Sequence, residues 1–229
     1  MKDRQLCVFG EVLFDHFPDG RSVLGGAPFN VAWHLQAFGK RPHFLSRVGN
    51  DAEGQEIRAA MRDWGMSEAG LQTDPTLPTG RVEVSFRDGE PSYDIVHPSA
   101  WDSIAAGSSQ TDCGLLYHGS LGVRDERARR ALAELLKHRP ETVFVDVNLR
   151  PPWWDRDRVL GMLQHADWVK LNAGEFALLQ TGGGSGTESV AAFMARHELR
   201  GLLLTHGSRG AELFTDTDGH WDIAPEQDI

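Results

Sequence analysis

The feature that most limits how this chain can fold is a repeated order of short apolar runs, turns and amphipathic segments. Apolar runs of strand length occupy residues 6–9, 44–48, 143–147, 168–171 and 202–205. Between them, apolar residues recur at intervals near 3.6, which is typical of helices packed on a sheet. Strands that alternate with helices indicate a parallel sheet of the α/β class. The order therefore predicts a Rossmann-like layered α/β fold.

The segment after the first strand contains a helix with recognisable ends. Pro28 suits the first turn of a helix, and Gly39 can end one. Val31, Leu35 and Phe38 fall at positions i, i+4 and i+7 between them. This spacing predicts that these three side chains form the buried face of the helix.

One stretch departs from the alternation of strands and helices. Residues 80–86 alternate apolar and polar side chains, Asp88-Gly89 suits a hairpin turn, and residues 93–96 can return antiparallel. This ribbon has no helix of its own to cover it. We expect it to form a lid over the ligand edge of the sheet. A surface hairpin without function is the alternative.

Length and charge exclude several classes of protein. The 229 residues suit one domain with a small appendage, and a hydrophobic content of 40% suffices for a core. The net charge of −10 argues against a general binder of nucleic acid or anionic membranes, because both reward basic surfaces. The longest apolar run, residues 190–195, is far shorter than the ~20 residues that cross a bilayer. We expect a soluble protein without an export signal or membrane anchor.

The two cysteines bear on the cellular compartment. Cys7 and Cys113 are far apart in sequence and belong to no C-x-x-C pair. This pattern indicates neither a disulfide framework nor a thiolate zinc site. It favours the reducing cytosol, so the expected localisation is cytoplasmic.

Open α/β sheets bind ligands at the carboxyl ends of their strands, so the residues just after each strand are candidate site residues. Asp15 and the pair Gly25-Gly26 follow the first strand, and Asn30 lies in the predicted helix. Paired glycines let backbone approach a bound molecule, and a carboxylate with an amide can share the hydrogen bonds of a polyol. Alone, the glycine pair is more often a tight turn. Asp51, after the next strand, is expected to cap a helix rather than to bind a ligand.

Two strand ends in the second half carry groups suited to phosphate and magnesium. Arg150 could hold phosphate oxygens or neutralise charge during a transfer. The alternative is a surface ion pair with Asp155 or Asp157. Asn172 and Glu175 combine an amide and a carboxylate, which suits hydrated Mg²⁺. A capping box at the start of a helix is an equally good interpretation of this pair.

The last apolar run leads into a glycine loop. Gly207 and Gly210 follow Thr205, and a second strand begins at once. Backbone N–H groups in such a loop can form a small anion nest beside the threonine hydroxyl. The loop is not a P-loop, because no G-K-[ST] follows.

Taken together, these motifs resemble the ribokinase-like (PfkB) carbohydrate kinase family from the first strand to the last residue. The matching segments are VFGEVLFD (8–15), GGAPFNVA (25–32), RVGNDAEG (47–54), NAGE (172–175) and THGSRG (205–210). The segment DVNLR (146–150), with the tryptophans that follow, looks most like the fructokinase and 2-keto-3-deoxygluconate kinase branches.

The resemblance implies a single ribokinase-like α/β domain over residues 1–229, a Rossmann-type three-layer sandwich. Its small β-sheet lid would have strands near residues 11–20 and 80–97. The implied reaction transfers the γ-phosphoryl group of ATP to a sugar hydroxymethyl, with Mg²⁺ and also a monovalent cation as implied cofactors. A homodimer through the lid is a further implication.

The resemblance also assigns roles to the candidate residues. The sugar would be held by Asp15, Gly25, Gly26 and Asn30. Asn148, Arg150 and Asn172 would lie along the phosphates, with Arg150 neutralising charge in the transition state. Glu175 would organise Mg²⁺ through water, and Thr205, Gly207 and Gly210 would border the nucleotide.

The chain departs from the family pattern near its carboxyl end. Family members carry, shortly after the glycine loop, a D-T-x-G-A-G-D segment that supplies the anion hole and the general base. No G-A-G-D occurs in the 229 residues, which end at Ile229. We therefore expect the C-terminally incomplete, N-terminal part of a fructokinase-like enzyme, without its base. The codons after Ile229 would test this expectation.

Two alternatives stay open. A truncated, non-catalytic sugar-binding or dimerising module would keep Asp15, Asn30 and the lid but not the base. A ketodeoxygluconate or nucleoside kinase is the second, because the lid and first-strand residues that select the sugar vary.

Overall fold

A computed structural model describes residues 4–87, 90–106, 112–180, 186–217 and 219–225. The chain divides into two compact units, Met1–Pro140 and Glu141–Ile229. Each unit has its own strands and helices. The single domain predicted over residues 1–229 stays a prediction.

The first unit holds eight strands and three α-helices within its described residues. The strands are β1 Gln5–Phe9, β2 Leu13–His16, β3 Ser22–Gly25, β4 His43–Gly49, β5 Leu71–Asp74, β6 Gly80–Arg87, β7 Glu90–Ile95 and β8 Cys113–Gly119. The helices are α1 Ala27–Ala37, α2 Ala52–Asp63 and α3 Glu126–Lys137. Strands β8, β1, β4 and β5 lie side by side in that order, and every neighbouring pair is parallel. The predicted parallel arrangement is confirmed in this unit.

The remaining strands of this unit form a second sheet in the order β3, β2, β6, β7. Strand β2 is antiparallel to β3 and parallel to β6, and β7 returns antiparallel to β6. The predicted antiparallel return is confirmed, whereas the predicted turn at Asp88-Gly89 lies outside the described residues. The short strand β3 was not predicted from the sequence.

The buried face of α1 differs from the predicted one. Its buried residues are Pro28, Phe29 and Ala32. Phe38 lies beyond the helix and is 76% exposed, and Val31 and Leu35 are only half-buried. The prediction is wrong because the aromatic ring of Phe29 packs on Phe44 of β4, at 5.5 Å between centroids, and this contact turns the first part of the helix toward the sheet.

The two cysteines form a disulfide, which the sequence pattern did not indicate. The parallel pairing of β1 with β8 brings the Cα atoms of Cys7 and Cys113 to 5.7 Å, a separation that a disulfide spans. The distance between the two cysteines in sequence did not reveal this pairing. The cysteine pattern therefore no longer supports a reducing compartment. Among the described residues, no helix is both long enough and apolar enough to cross a membrane.

A buried ion pair lies beneath the end of β7. Arg124 donates from Nε and Nη2 to the two carboxylate oxygens of Asp102 at 2.7 and 2.8 Å, and these side chains are 1% and 2% exposed. The same guanidinium donates to the Val96 carbonyl at 2.7 Å and lies 4.0 Å from the centroid of the Trp101 ring. These contacts give each of the two buried charges a partner.

The second unit holds five strands and three α-helices within its described residues. They are β9 Thr142–Asp146, α4 Arg156–Leu163, β10 Trp168–Asn172, α5 Ala173–Leu179, α6 Thr187–Arg196, β11 Gly201–Thr205, β12 Ala211–Thr215 and β13 His220–Ile223. Strands β9, β10 and β11 are parallel neighbours, and β12 and β13 continue antiparallel. The carboxyl ends of β9, β10 and β11 therefore meet at one edge.

Candidate functional site

In the first unit, Asp15 and the glycine pair lie together, as the sequence predicted. Strands β2 and β3 are paired so that a Cβ atom on Gly25 would lie 3.0 Å from Oδ2 of Asp15. A larger residue at Gly25 would therefore press on this carboxylate. Burial raises the pKa of the Asp15 carboxyl, and the neighbouring His16 opposes that rise.

Gly26 closes the loop before α1. Its φ of 107° lies in the region that glycine favours, and a Cβ atom there would come within 2.7 Å of the Glu11 carbonyl. The Gly26 carbonyl accepts a hydrogen bond from the Asn30 N–H at 2.9 Å, so Asn30 lies one helical turn away with its side chain exposed. The structure thus places Asp15, Gly25, Gly26 and Asn30 where β2, β3 and the start of α1 meet, and we call these four residues the loop cluster.

Asp51 begins α2 and also holds the start of β6. Its carboxylate accepts the Gly54 N–H at 2.8 Å, the Thr79 N–H at 2.8 Å and the Thr79 hydroxyl at 2.6 Å. Burial alone would raise the pKa of Asp51, but the bonds from Thr79 and Gly54 outweigh it and hold that pKa below its ordinary value. The expected role of Asp51 as a helix cap is confirmed.

In the second unit, Glu175 joins two strand ends. Glu175 and Asn172 form a capping box, in which each accepts the backbone N–H of the other at 2.9 Å. The second carboxylate oxygen of Glu175 accepts the Leu149 N–H at 2.8 Å. The capping-box interpretation is therefore correct, and the bond to Leu149 ties the loop after β9 to the start of α5.

Glu175→Gln should lower the free energy of unfolding by about 1–3 kcal/mol. The amide has only one accepting oxygen, so either the buried Leu149 N–H or the part-buried Asn172 N–H loses its partner. Urea unfolding would measure the change. Glu188→Gln is the matched control, because Glu188 also lies in a first helical turn but is exposed. We expect this control to change stability by less than about 0.5 kcal/mol. Equal losses in the two variants would contradict the role given to Glu175.

The loop after β9 presents Asn148 and Arg150 at the sheet edge. Asn148 has a φ of 42°, a left-handed conformation that asparagine tolerates better than most residues. Arg150 is exposed and donates to the Leu149 carbonyl at 3.1 Å. Within the described ranges it forms no ion pair with Asp155, which instead caps α4. The guanidinium therefore has room to meet a ligand.

The two glycines of the loop after β11 differ in their surroundings. Thr205 is the register partner of Asn172, which places it at the same edge as the capping box. Gly207 has a φ of 61°, and a Cβ atom there would meet nothing within 4 Å. A Cβ atom on Gly210 would collide with the Ile223 carbonyl, and the Gly210 N–H donates to the Gly207 carbonyl at 3.1 Å. Gly207 thus has open space beside it, whereas Gly210 lets the backbone pack closely on Ile223.

An ion pair at the same edge was not predicted from the sequence. Lys170 on β10 donates to both carboxylate oxygens of Asp146 on β9, at 2.9 and 3.0 Å. The two residues are register partners near the ends of their strands. The signal in the sequence was a charged residue inside each of two apolar runs.

Comparison with known proteins decides the family. The sequence matches the pfkB family carbohydrate kinases over residues 4–229. The chain belongs to this family. By family it is thus a carbohydrate kinase, a phosphotransferase that acts on an alcohol group. The resemblance based on the motifs is confirmed.

Relatives of this pfkB kinase include fructokinases. Fructokinase-1 of Zea mays is 29% identical over 237 residues, which cover 92% of this chain and 73% of the maize protein. The apo fructokinase of Vibrio cholerae O395 is 26% identical, with a TM-score of 0.83 over 97% of this chain and 81% of that one. The ATP-bound fructokinase of Xylella fastidiosa has a TM-score of 0.85 at 23% identity, over 98% of this chain and 74% of that one. These likenesses confirm the expected ribokinase-like α/β fold.

Proposed function

We propose that this pfkB kinase transfers the γ-phosphoryl group of ATP to the hydroxymethyl group of a ketose, with fructose as the first candidate. The observation that carries the proposal is the half-buried Asp15 carboxylate held against Gly25 in the loop cluster of the first unit. Fructokinases among the relatives support fructose as the first sugar to test.

In this proposal the loop cluster binds the sugar. Asp15 accepts hydrogen bonds from sugar hydroxyls, and the exposed amide of Asn30 can both donate and accept. Gly25 keeps the space beside Asp15 free of a side chain, and Gly26 lets the backbone pass close to the Glu11 carbonyl. The second sheet, which includes Asp15, would act as the lid.

The strand ends of the second unit would bind ATP. Arg150 is exposed and can neutralise phosphate charge, while Asn148 and Asn172 offer amides at the same edge. Thr205 and the open surface at Gly207 would border the nucleotide, with Gly210 shaping the loop. ATP supplies the phosphoryl group, and these side chains only position it and offset its charge.

Glu175 fits an indirect role toward Mg²⁺. Both of its oxygens accept backbone N–H bonds and the residue is buried, so direct ligation does not suit it. Each oxygen keeps a second lone pair, which can accept a bond from a water bound to the ion. For the monovalent cation we propose no binding residue within the described ranges.

Titration calorimetry on the 229-residue chain, with fructose, 2-keto-3-deoxygluconate, a nucleoside and ATP with Mg²⁺, tests the proposal. We expect fructose to bind with a Kd of about 1 mM or tighter, and ATP to bind independently. Binding of another sugar in its place would change the substrate class. Absence of binding by every sugar, with ATP binding intact, would overturn the proposal.

A coupled assay for ADP release separates the kinase from the second candidate, a sugar-binding or dimerising module. Exposed Val23, Phe86 and Tyr93 lie on one face of the second sheet and favour a homodimer through it. Phosphorylation of the bound sugar by this chain would exclude that second candidate.

A further inference from the structure

A single carboxylate binds two neighbouring strands of the second sheet. Glu53, in the first turn of α2, accepts from Arg81 Nε on β6 at 2.8 Å, and its other oxygen is 2.8 Å from His16 Nε2 on β2. The Glu53 side chain is only 16% exposed. Hydrogen bonds of this kind, with an ionised carboxylate, are among the stronger ones in proteins.

The strand register places this contact behind Asp15. Arg81 is the register partner of Phe14, which lies two residues before His16 on β2. Because side chains alternate along a strand, His16 and Arg81 share one face of the second sheet. Asp15 projects from the opposite face. Glu53 therefore fastens β2 and β6 from the side away from the proposed sugar.

The backbone that carries Glu53, at the start of α2, is held by several contacts. The Asp51 carboxylate caps α2 and binds Thr79, the residue just before β6. Thr79 in turn accepts the Gly49 N–H at 3.0 Å from the end of β4. A Cβ atom on Gly54 would collide with the Gly49 carbonyl, so the first turn of α2 packs directly on that strand end. Glu53 thus extends from a rigid support toward the second sheet.

We propose that Glu53 is a positioning residue for sugar binding, which acts through His16 on the adjacent Asp15. The inference rests on the proposed sugar role of Asp15. Holding the His16 side chain fixes the backbone from which Asp15 extends, and a displacement of about 1 Å in a binding group is costly. A purely structural role, as an acidic residue at a helix N-terminus, would stabilise α2 without any preference for sugar over nucleotide.

The main test compares Glu53→Ala with Glu56→Ala by titration with fructose and with ATP. Glu56 is the matched control, because it lies on the same helix and is exposed. We expect Glu53→Ala to weaken fructose binding about tenfold and to leave the Kd for ATP within about twofold. Glu56→Ala should leave both constants within about twofold.

Two substitutions of His16 test the same link if Glu53→Ala does not fold. His16→Phe keeps a ring but removes the group that pairs with Glu53, so we expect it to weaken fructose binding about as much as Glu53→Ala does. His16→Gln keeps a donor within reach of Glu53 and should restore most of the affinity. If the His16 ring only filled space, His16→Phe would keep the affinity for fructose and His16→Gln would weaken it.

Unchanged fructose affinity in Glu53→Ala and His16→Phe would overturn the inference. Equal weakening of fructose and ATP would also overturn it, because it would indicate general damage. If the wild-type chain binds no sugar, the proposed function itself is wrong. If the wild-type chain binds fructose and Glu53→Ala binds it equally well, only the inference about Glu53 is wrong.

Discussion

Asp15→Ala is expected to weaken fructose binding by about ten- to a hundredfold and to leave the affinity for ATP unchanged. A bond between a carboxylate and a sugar hydroxyl contributes about 1.5–3 kcal/mol, and each 1.4 kcal/mol corresponds to about tenfold in Kd. The Asp15 carboxylate is half-buried beside Gly25. In Asp15→Ala, a water molecule in the vacated space would therefore restore little of the lost affinity for fructose. Titration calorimetry with each ligand separately would measure both effects.

Asp19→Ala is the control for this experiment. Asp19 lies in the turn between β2 and β3, is exposed, and binds only Arg21 among the contacts of the described residues. It shares the hairpin and the charge of Asp15 but not its place beside Gly25. Fructose affinity that is unchanged in Asp15→Ala, or equally reduced in both variants, would remove Asp15 from the sugar site.

Arg124→Met should destabilise the protein strongly, with a loss of about 3–5 kcal/mol in the free energy of unfolding. It leaves the Asp102 carboxylate buried without its counter-charge, and an uncompensated buried charge carries a penalty of that size. The cation–π contact with Trp101 and the bond to the Val96 carbonyl disappear at the same time. Urea unfolding followed by tryptophan fluorescence would report the loss.

Arg130→Met provides the comparison with an exposed ion pair. Arg130 binds Glu126 across one turn of α3 at 2.9 Å, and its side chain is largely exposed. Such pairs contribute about 0.3–0.5 kcal/mol. If Arg124→Met were no more destabilising than Arg130→Met, the buried pair would not hold the end of β7 as the structure indicates.

The parts of the fold that could be predicted from sequence are those determined by local patterns. Short, mostly apolar runs predicted β4, β9, β10 and β11, because strands covered on both faces in a parallel sheet are rich in apolar residues. The cap at Asp51 was predictable because an acidic side chain before a helix accepts its free N–H groups.

Other features depend on contacts between distant segments. The disulfide needed the pairing of β1 with β8, and the buried face of α1 was decided by Phe29 against Phe44. The bond from Leu149 to Glu175 joins residues 26 positions apart, so the capping pattern revealed only half of what Glu175 does. In the candidate site, the sequence indicated the residue types, and the structure added how Glu53 supports them.

The shared use of Asp51 has a consequence for how this sheet can vary between relatives. One carboxylate starts a helix and also anchors the first residue before β6, through Thr79. A substitution at Asp51 would therefore disturb two elements in a single step, and no change at Thr79 alone could compensate for the helix. A variant with a remodelled second sheet would therefore have to retain this pair or replace both members together.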